Sequence, residues 1–169
     1  AYGLAWAHAE DDFKTIQIGY LAGNNLLSKY IGNQGLGADF ISQFIGSDKL
    51  FDENYLKDIS YEYKNILRAY ADGLNRYAEL NPKEVLVEDL FPINEKKMML
   101  YAQLQLFISS NGDKWVSKII NNQLSNYSID KQENRGSNAL AFNSAKTKDG
   151  LTYLAINTNQ PLDGPVSWY

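Results

Sequence analysis

"SNYSIDKQENRGS", residues 125 to 137, is polar and without periodicity, and the chain changes character across it. Upstream, residues 1–124 carry apolar side chains at helical spacing. Downstream, "NALAFNSA" and "LTYLAIN" are two short apolar runs joined by "KTKDG", where Asp149-Gly150 is a hairpin signal. The expected organisation is therefore a helical region (1–124), an exposed linker (125–136) and a β-region (137–169), an α+β arrangement. A hairpin alone is marginal in water and needs further strands or a covering layer. The chain opens in mid-pattern at "AYGLAWAHAEDDF", without an initiator Met, and stops at "PVSWY". It reads as a piece of a longer protein, with the partner strands expected from sequence beyond residue 169.

Within the helical region the spacing predicts one helix from Tyr2 to about Lys29, closed by Gly32 and Gly35. A short helix over about 38–45 follows. Leu56, Ile59, Tyr63, Ile66, Tyr70, Leu74 and Tyr77 then step by three and four, with Lys57, Asp58, Glu62, Lys64 and Arg68 opposite. Asp52 is the expected N-cap of this long helix and Asn81-Pro82 its stop. Further helices are predicted from about Asn94 to Ser109 and from Asp113 to Leu124, separated by "NGD".

Composition narrows the function classes. With 169 residues the chain can bury a core, and 44% hydrophobic with 21% charged residues is ordinary for a globular protein. Net charge is −4 with no basic cluster, which argues against a nucleic-acid partner. Cysteine is absent, so disulfides and thiolate metal sites are excluded. The single histidine, His8, excludes a multi-histidine metal site in this chain and leaves only itself as the base of a Ser-His-Asp triad. No apolar run approaches the roughly 20 residues a membrane span needs, and no signal-peptide pattern is visible.

Gly136-Ser137-Asn138 stands where the linker meets the first strand. One reading is a simple turn. The other is a processing site: the Gly136 carbonyl is open to the neighbouring Ser137 hydroxyl, and an N-to-O acyl shift followed by hydrolysis releases a chain beginning with Ser137. That serine then holds nucleophile and base in one residue, because an α-amino group has a pKa of about 8 and can take the hydroxyl proton. Acyl transfer then needs no histidine.

Three stretches in order resemble the penicillin acylase family of N-terminal nucleophile hydrolases. "YGLAWAHAEDDF" is similar to the "G-x-[AG]-[YW]-A-x-A-E-D" helix near the start of that family's α-chain, and "LRAYADGLNRYAEL" to its "AYAAGVN" helix. "GSNALAFNSAKTKDGLTYLAINTNQPLDGPVSWY" resembles the start of its β-chain: Ser-Asn, an apolar strand, a "G-S-x-x-[ST]-x-x-G" type hairpin, and a second strand ending in an Asn-rich turn. The resemblance implies a four-layer αββα sandwich, cleavage between Gly136 and Ser137, and Ser137 as nucleophile with its freed α-amine as base. It implies a small-molecule linear amide as substrate: a penicillin, an N-acyl homoserine lactone or a lipopeptide. It also implies a heterodimer with the rest of the β-chain, a periplasmic or secreted location, and a zymogen matured by autoproteolysis. No cofactor is required, although a structural calcium is common in the family, with ligands mostly further along the β-chain. The family places a supporting His or Gln where this chain has Asn159, followed by Gln160. Its oxyanion donors also lie beyond residue 169. Residues 1–169 alone are therefore expected to be inactive. The substitution at Asn159 opens an alternative, a catalytically silent relative that serves as a binding or surface protein.

Other candidates have structural readings beside their functional ones. Glu10, Asp11 and Asp12 read as helix charges that pair or cap, or as acid–base or calcium groups. His8 reads as a packed or surface histidine. Met98, Met99, Leu104 and Phe107 read as core, or as the wall of an acyl pocket, with Phe107 the residue chosen for substrate contact. Glu133 and Arg135 read as linker charges.

Overall fold

The computed structural model describes residues 1–123 and 138–157. The chain divides into two compact units, Ala1–Trp115 and Val116–Tyr169. The first holds α1 (Tyr2–Gly23), α2 (Leu27–Ile31), α3 (Leu36–Ile45), α4 (Ser47–Asp58), α5 (Tyr61–Leu80) and α6 (Glu95–Ser109); α7 (Gly112–Ile120) crosses the division. The second unit contributes β1 (Asn138–Phe142) and β2 (Tyr153–Asn157), paired antiparallel. Among the described residues the protein is thus mostly helical with one small antiparallel sheet, as an α+β reading requires.

The helical core is a seam between α1 and α5. Ala5, Ala9, Phe13 and Leu21 from α1 meet Ala71, Leu74 and Tyr77 from α5, with Leu90 and Ile93 closing one end. Small residues on the α1 side permit the close approach. On the side of α1 that meets α6, Gly23 permits a close approach of backbones, because a Cβ there would lie 2.5 Å from the Tyr101 Cα. Phe13 and Tyr77 pack edge-on at 4.9 Å between ring centroids, a geometry that aromatic quadrupoles favour.

Two side-chain amides bind the connection between α5 and α6 to this core. Gln17, 1% exposed, accepts from the Leu86 N–H at 2.9 Å and donates to the Glu84 carbonyl at 2.9 Å. Asn75 accepts from the Ile93 N–H at 2.6 Å and donates to the Ile93 carbonyl at 2.8 Å. Each supplies a donor and an acceptor to backbone groups that have no helix or sheet partner, which is what a partly buried loop requires.

Two expected helices are divided. The one expected from Tyr2 to Lys29 ends at Gly23, where the Asn24 side chain donates to the carbonyls of Tyr20 and Lys97 and Asn25 adopts φ 58°. Asparagine tolerates that left-handed conformation better than most residues. The long helix capped by Asp52 is also two helices. Ile59 is extended (φ −99°, ψ 125°), and the Ser60 hydroxyl caps α5 by accepting from the Tyr63 N–H at 3.2 Å. Asp52 lies inside α4 and pairs with Lys96, and Leu56 is 81% exposed instead of lying on a core face. The Asn81-Pro82 stop and the Asn94 start agree with the structure; Asn94 Oδ1 accepts from the Lys97 N–H.

Candidate active site

The hairpin is the described element adjacent to the candidate nucleophile. Its register pairs Asn138 with Asn157, Leu140 with Ala155 and Phe142 with Tyr153. Residues 143–152 form the connection. Gly150 has φ 70°, Asp149 Oδ1 accepts from the Leu151 N–H, and the Thr147 hydroxyl donates to the Leu151 carbonyl at 2.7 Å. The expected strands are shortened at this end because Ser144–Lys146 forms a 3₁₀ turn, with Asn143 Oδ1 accepting from the Ala145 N–H.

Alternation sends Leu140, Phe142 and Tyr153 to one face and Leu154 and Ile156 to the other. All five are between 47% and 66% exposed. A strand pair that is apolar on both faces suits the interior of a layered fold, not a solvated surface.

Gly136, Ser137 and Asn159 lie outside the described residues, as do Glu133 and Arg135. Asn138 follows Ser137, Asn157 precedes Asn159 by two residues, and Asn138 and Asn157 are partners in the ladder.

The candidates on the helices can be placed. Phe107 is half-buried on α6, and its ring covers Gly112 so closely that a Cβ there would lie 2.4 Å from a ring carbon. Phe107 therefore has a packing role at the α6–α7 corner, where Asn111 takes φ 59°. Leu104 is 4% exposed, and Met98 packs against the α1/α5 core. His8 Nδ1 lies 2.8 Å from the Tyr70 hydroxyl, whose pKa is raised by burial.

Of the three consecutive carboxylates, Glu10 and Asp11 are exposed. Asp12 interrupts α1 (φ −155°, ψ 73°), and its Oδ1 accepts from the Thr15 N–H at 3.0 Å. It is the N-cap of the second half of α1, and hydrogen bonding from Thr15 holds its pKa below the usual carboxylate range. No group of three or more histidine, aspartate or glutamate residues among the described ones could hold a metal ion. No described helix is long and apolar enough to cross a membrane.

The family model for penicillin amidase matches residues 1–169. The chain belongs to the penicillin amidase family. No curated protein matches the chain. At the level of the family, membership places it among the acylases and amidases, hydrolases of amide bonds. Within that penicillin amidase frame, the "AHAEDD" stretch of α1 supplies a core face (Ala9) and an internal cap (Asp12). "AYADGLN" of α5 likewise supplies core (Ala71, Leu74) and a loop clamp (Asn75). Sequence reading did not single out Gln17 or Asn75, and their helical spacing could have flagged an amide on a buried face.

Proposed function

We propose that this protein is a self-processing acylase of linear amides. The bond between Gly136 and Ser137 is cut within the chain, and Ser137 becomes the N-terminal residue of a β-chain that continues beyond residue 169. The single observation that carries this reading is the pairing of Asn138 with Asn157. A strand starting one residue after Ser137 holds the nucleophile to a rigid element by one peptide link, about 3.8 Å between Cα atoms, and the ladder brings the strand leading to Asn159 alongside. The two-sided apolar hairpin supports a place inside an αββα sandwich.

In the proposed reaction the free α-amine of Ser137 accepts the hydroxyl proton as Oγ attacks the amide carbonyl. The tetrahedral intermediate collapses to an ester, and the proton passes to the departing amine. The Ser137 α-amine then takes a proton from water as the water attacks the ester, and returns it to Oγ as the carboxylic acid leaves. Oxyanion donors come from the β-chain beyond residue 169. Asn159 stands in for the usual His or Gln, and an amide retains a donor and an acceptor for that supporting role. A penicillin, N-acyl homoserine lactone or lipopeptide acyl group is the substrate class, and the mature enzyme acts in the periplasm or outside the cell.

The full-length protein should hydrolyse N-acyl amides of graded chain length, and Ser137→Ala should abolish the activity. The Asn159 substitution favours one other reading, a silent relative. A correctly processed protein with no turnover across the acyl series would support that reading instead.

A further inference from the structure

α4 is attached to the helical unit differently from its neighbours. Only Ser47 and Tyr55 among its residues are buried, whereas α5 buries six of its own. Its link to α6 is largely charge: Lys96 Nζ lies 2.9 Å from Asp48 Oδ1 and 2.8 Å from Asp52 Oδ1. The same ammonium sits 5.8 Å from the centroid of the Phe51 ring. Both carboxylates are well exposed, 70% and 60%, so solvent and salt reach the pairs.

The apolar part of the contact is narrow. Phe51 stacks on Tyr55 at 4.3 Å between ring centroids, so much of its cover comes from α4 itself. The Tyr55 hydroxyl is buried and lies beside the Glu95 carboxylate, and burial and that neighbouring charge raise its pKa. Both ends of α4 are suited to bending. Gly46 has φ 71° with open space where a Cβ would be, and Ile59 is extended before the Ser60 cap.

We propose that α4 is a strap clasped by charge. It opens as a unit about Gly46 and Ile59, with Lys96, Asp48 and Asp52 as the clasp and ionic strength setting the open population. A segment with few buried apolar groups sits at the low end of a protein's local stabilities, whereas α1 and α5, locked through the shared core, open only with the whole unit. Exposed ion pairs are screened once the Debye length approaches the pair separation, which occurs at about 0.5 M salt.

The test is hydrogen exchange of the full-length protein, read by peptide mass at about 0.02 M and about 0.5 M sodium chloride. At low salt, amides of α4 should exchange at least about tenfold faster than those of α5. High salt should accelerate α4 by about three- to tenfold relative to α5. Lys96→Gln should reach the accelerated rate at low salt, and Asp48→Asn/Asp52→Asn should do the same by removing the other side of the clasp. Common exchange of α4 and α5 at every salt concentration would overturn the proposal. So would a fast α4 that ignores both salt and the substitutions.

Discussion

Asn138 and Asn157 face each other across the two-stranded ladder, one residue after Ser137 and two before Asn159. The proposed chemistry depends on that relationship, because a serine that carries amine and hydroxyl in one residue must still be held in a fixed position relative to the substrate amide. Features of the helical unit set that unit's own stability, and each supports a measurable expectation.

Gly23 lies against the backbone of α6. A Cβ there would sit 2.5 Å from the Tyr101 Cα and 2.8 Å from its nitrogen, atoms that cannot rotate away. Gly23→Ala should destabilise the protein by about 1–3 kcal/mol, the usual cost of overpacking. Chemical denaturation should show a lower midpoint, and an unchanged or raised midpoint would mean that α1 and α6 separate easily.

Gln17 serves two backbone groups 67 and 69 residues away. Gln17→Met keeps the shape and leaves the Leu86 N–H and the Glu84 carbonyl without partners. An expected loss of about 2–4 kcal/mol follows from two orphaned groups at about 1–2 kcal/mol each. Faster hydrogen exchange confined to residues 81–94 would locate the effect, and a loss spread evenly over all helices would argue against the clamp.

Glu95 carries a pH dependence. Burial opposes its ionisation, but the hydrogen bond and charge of Arg68, whose Nε lies 2.5 Å from Glu95 Oε1, leave its pKa below the ordinary value of 4.5. A carboxylate with a depressed folded-state pKa stabilises above its unfolded pKa, and that contribution is lost as pH falls through the folded value. Stability should therefore decline below about pH 4.5, and Glu95→Gln should flatten this part of the acid limb. An acid limb identical in both proteins would remove Glu95 as a contributor.

Phe107 tests the boundary between packing and substrate contact. With its ring over Gly112, Phe107→Leu should lower thermal stability modestly, by about 1 kcal/mol. If the ring also meets the acyl group, kcat/KM for short and long acyl amides should shift relative to each other by about tenfold. Uniform scaling across the series would leave only the packing role.

How much of this was legible in the sequence depended on the range of the interaction. The Asn94 cap, the Asn81-Pro82 stop and the Asp149-Gly150 turn are local, and their residues announce them. The breaks at Asn24 and Ser60 were hidden inside continuing apolar periodicity. At Ser60 one hydroxyl caps α5 and marks it off from α4, and Leu56 does not occupy the core face that the periodicity predicts for it. For Gln17 and Asn75, helical spacing could flag an amide on a buried face, but their partners on the α5–α6 connection are not readable from local sequence. Near the candidate site, the order strand, turn, strand after Asn138 is readable directly, because a hairpin is a local element. The groups that complete such a site come from remote sequence, and no local pattern reveals them.

The most direct test of self-processing is the intact mass of the full-length protein beside Ser137→Ala. The wild type should give two chains, the first ending at or before Gly136 and the second beginning at Ser137, while Ser137→Ala remains uncut. A single, folded, uncut chain from both would contradict the assignment of Ser137 as an N-terminal nucleophile.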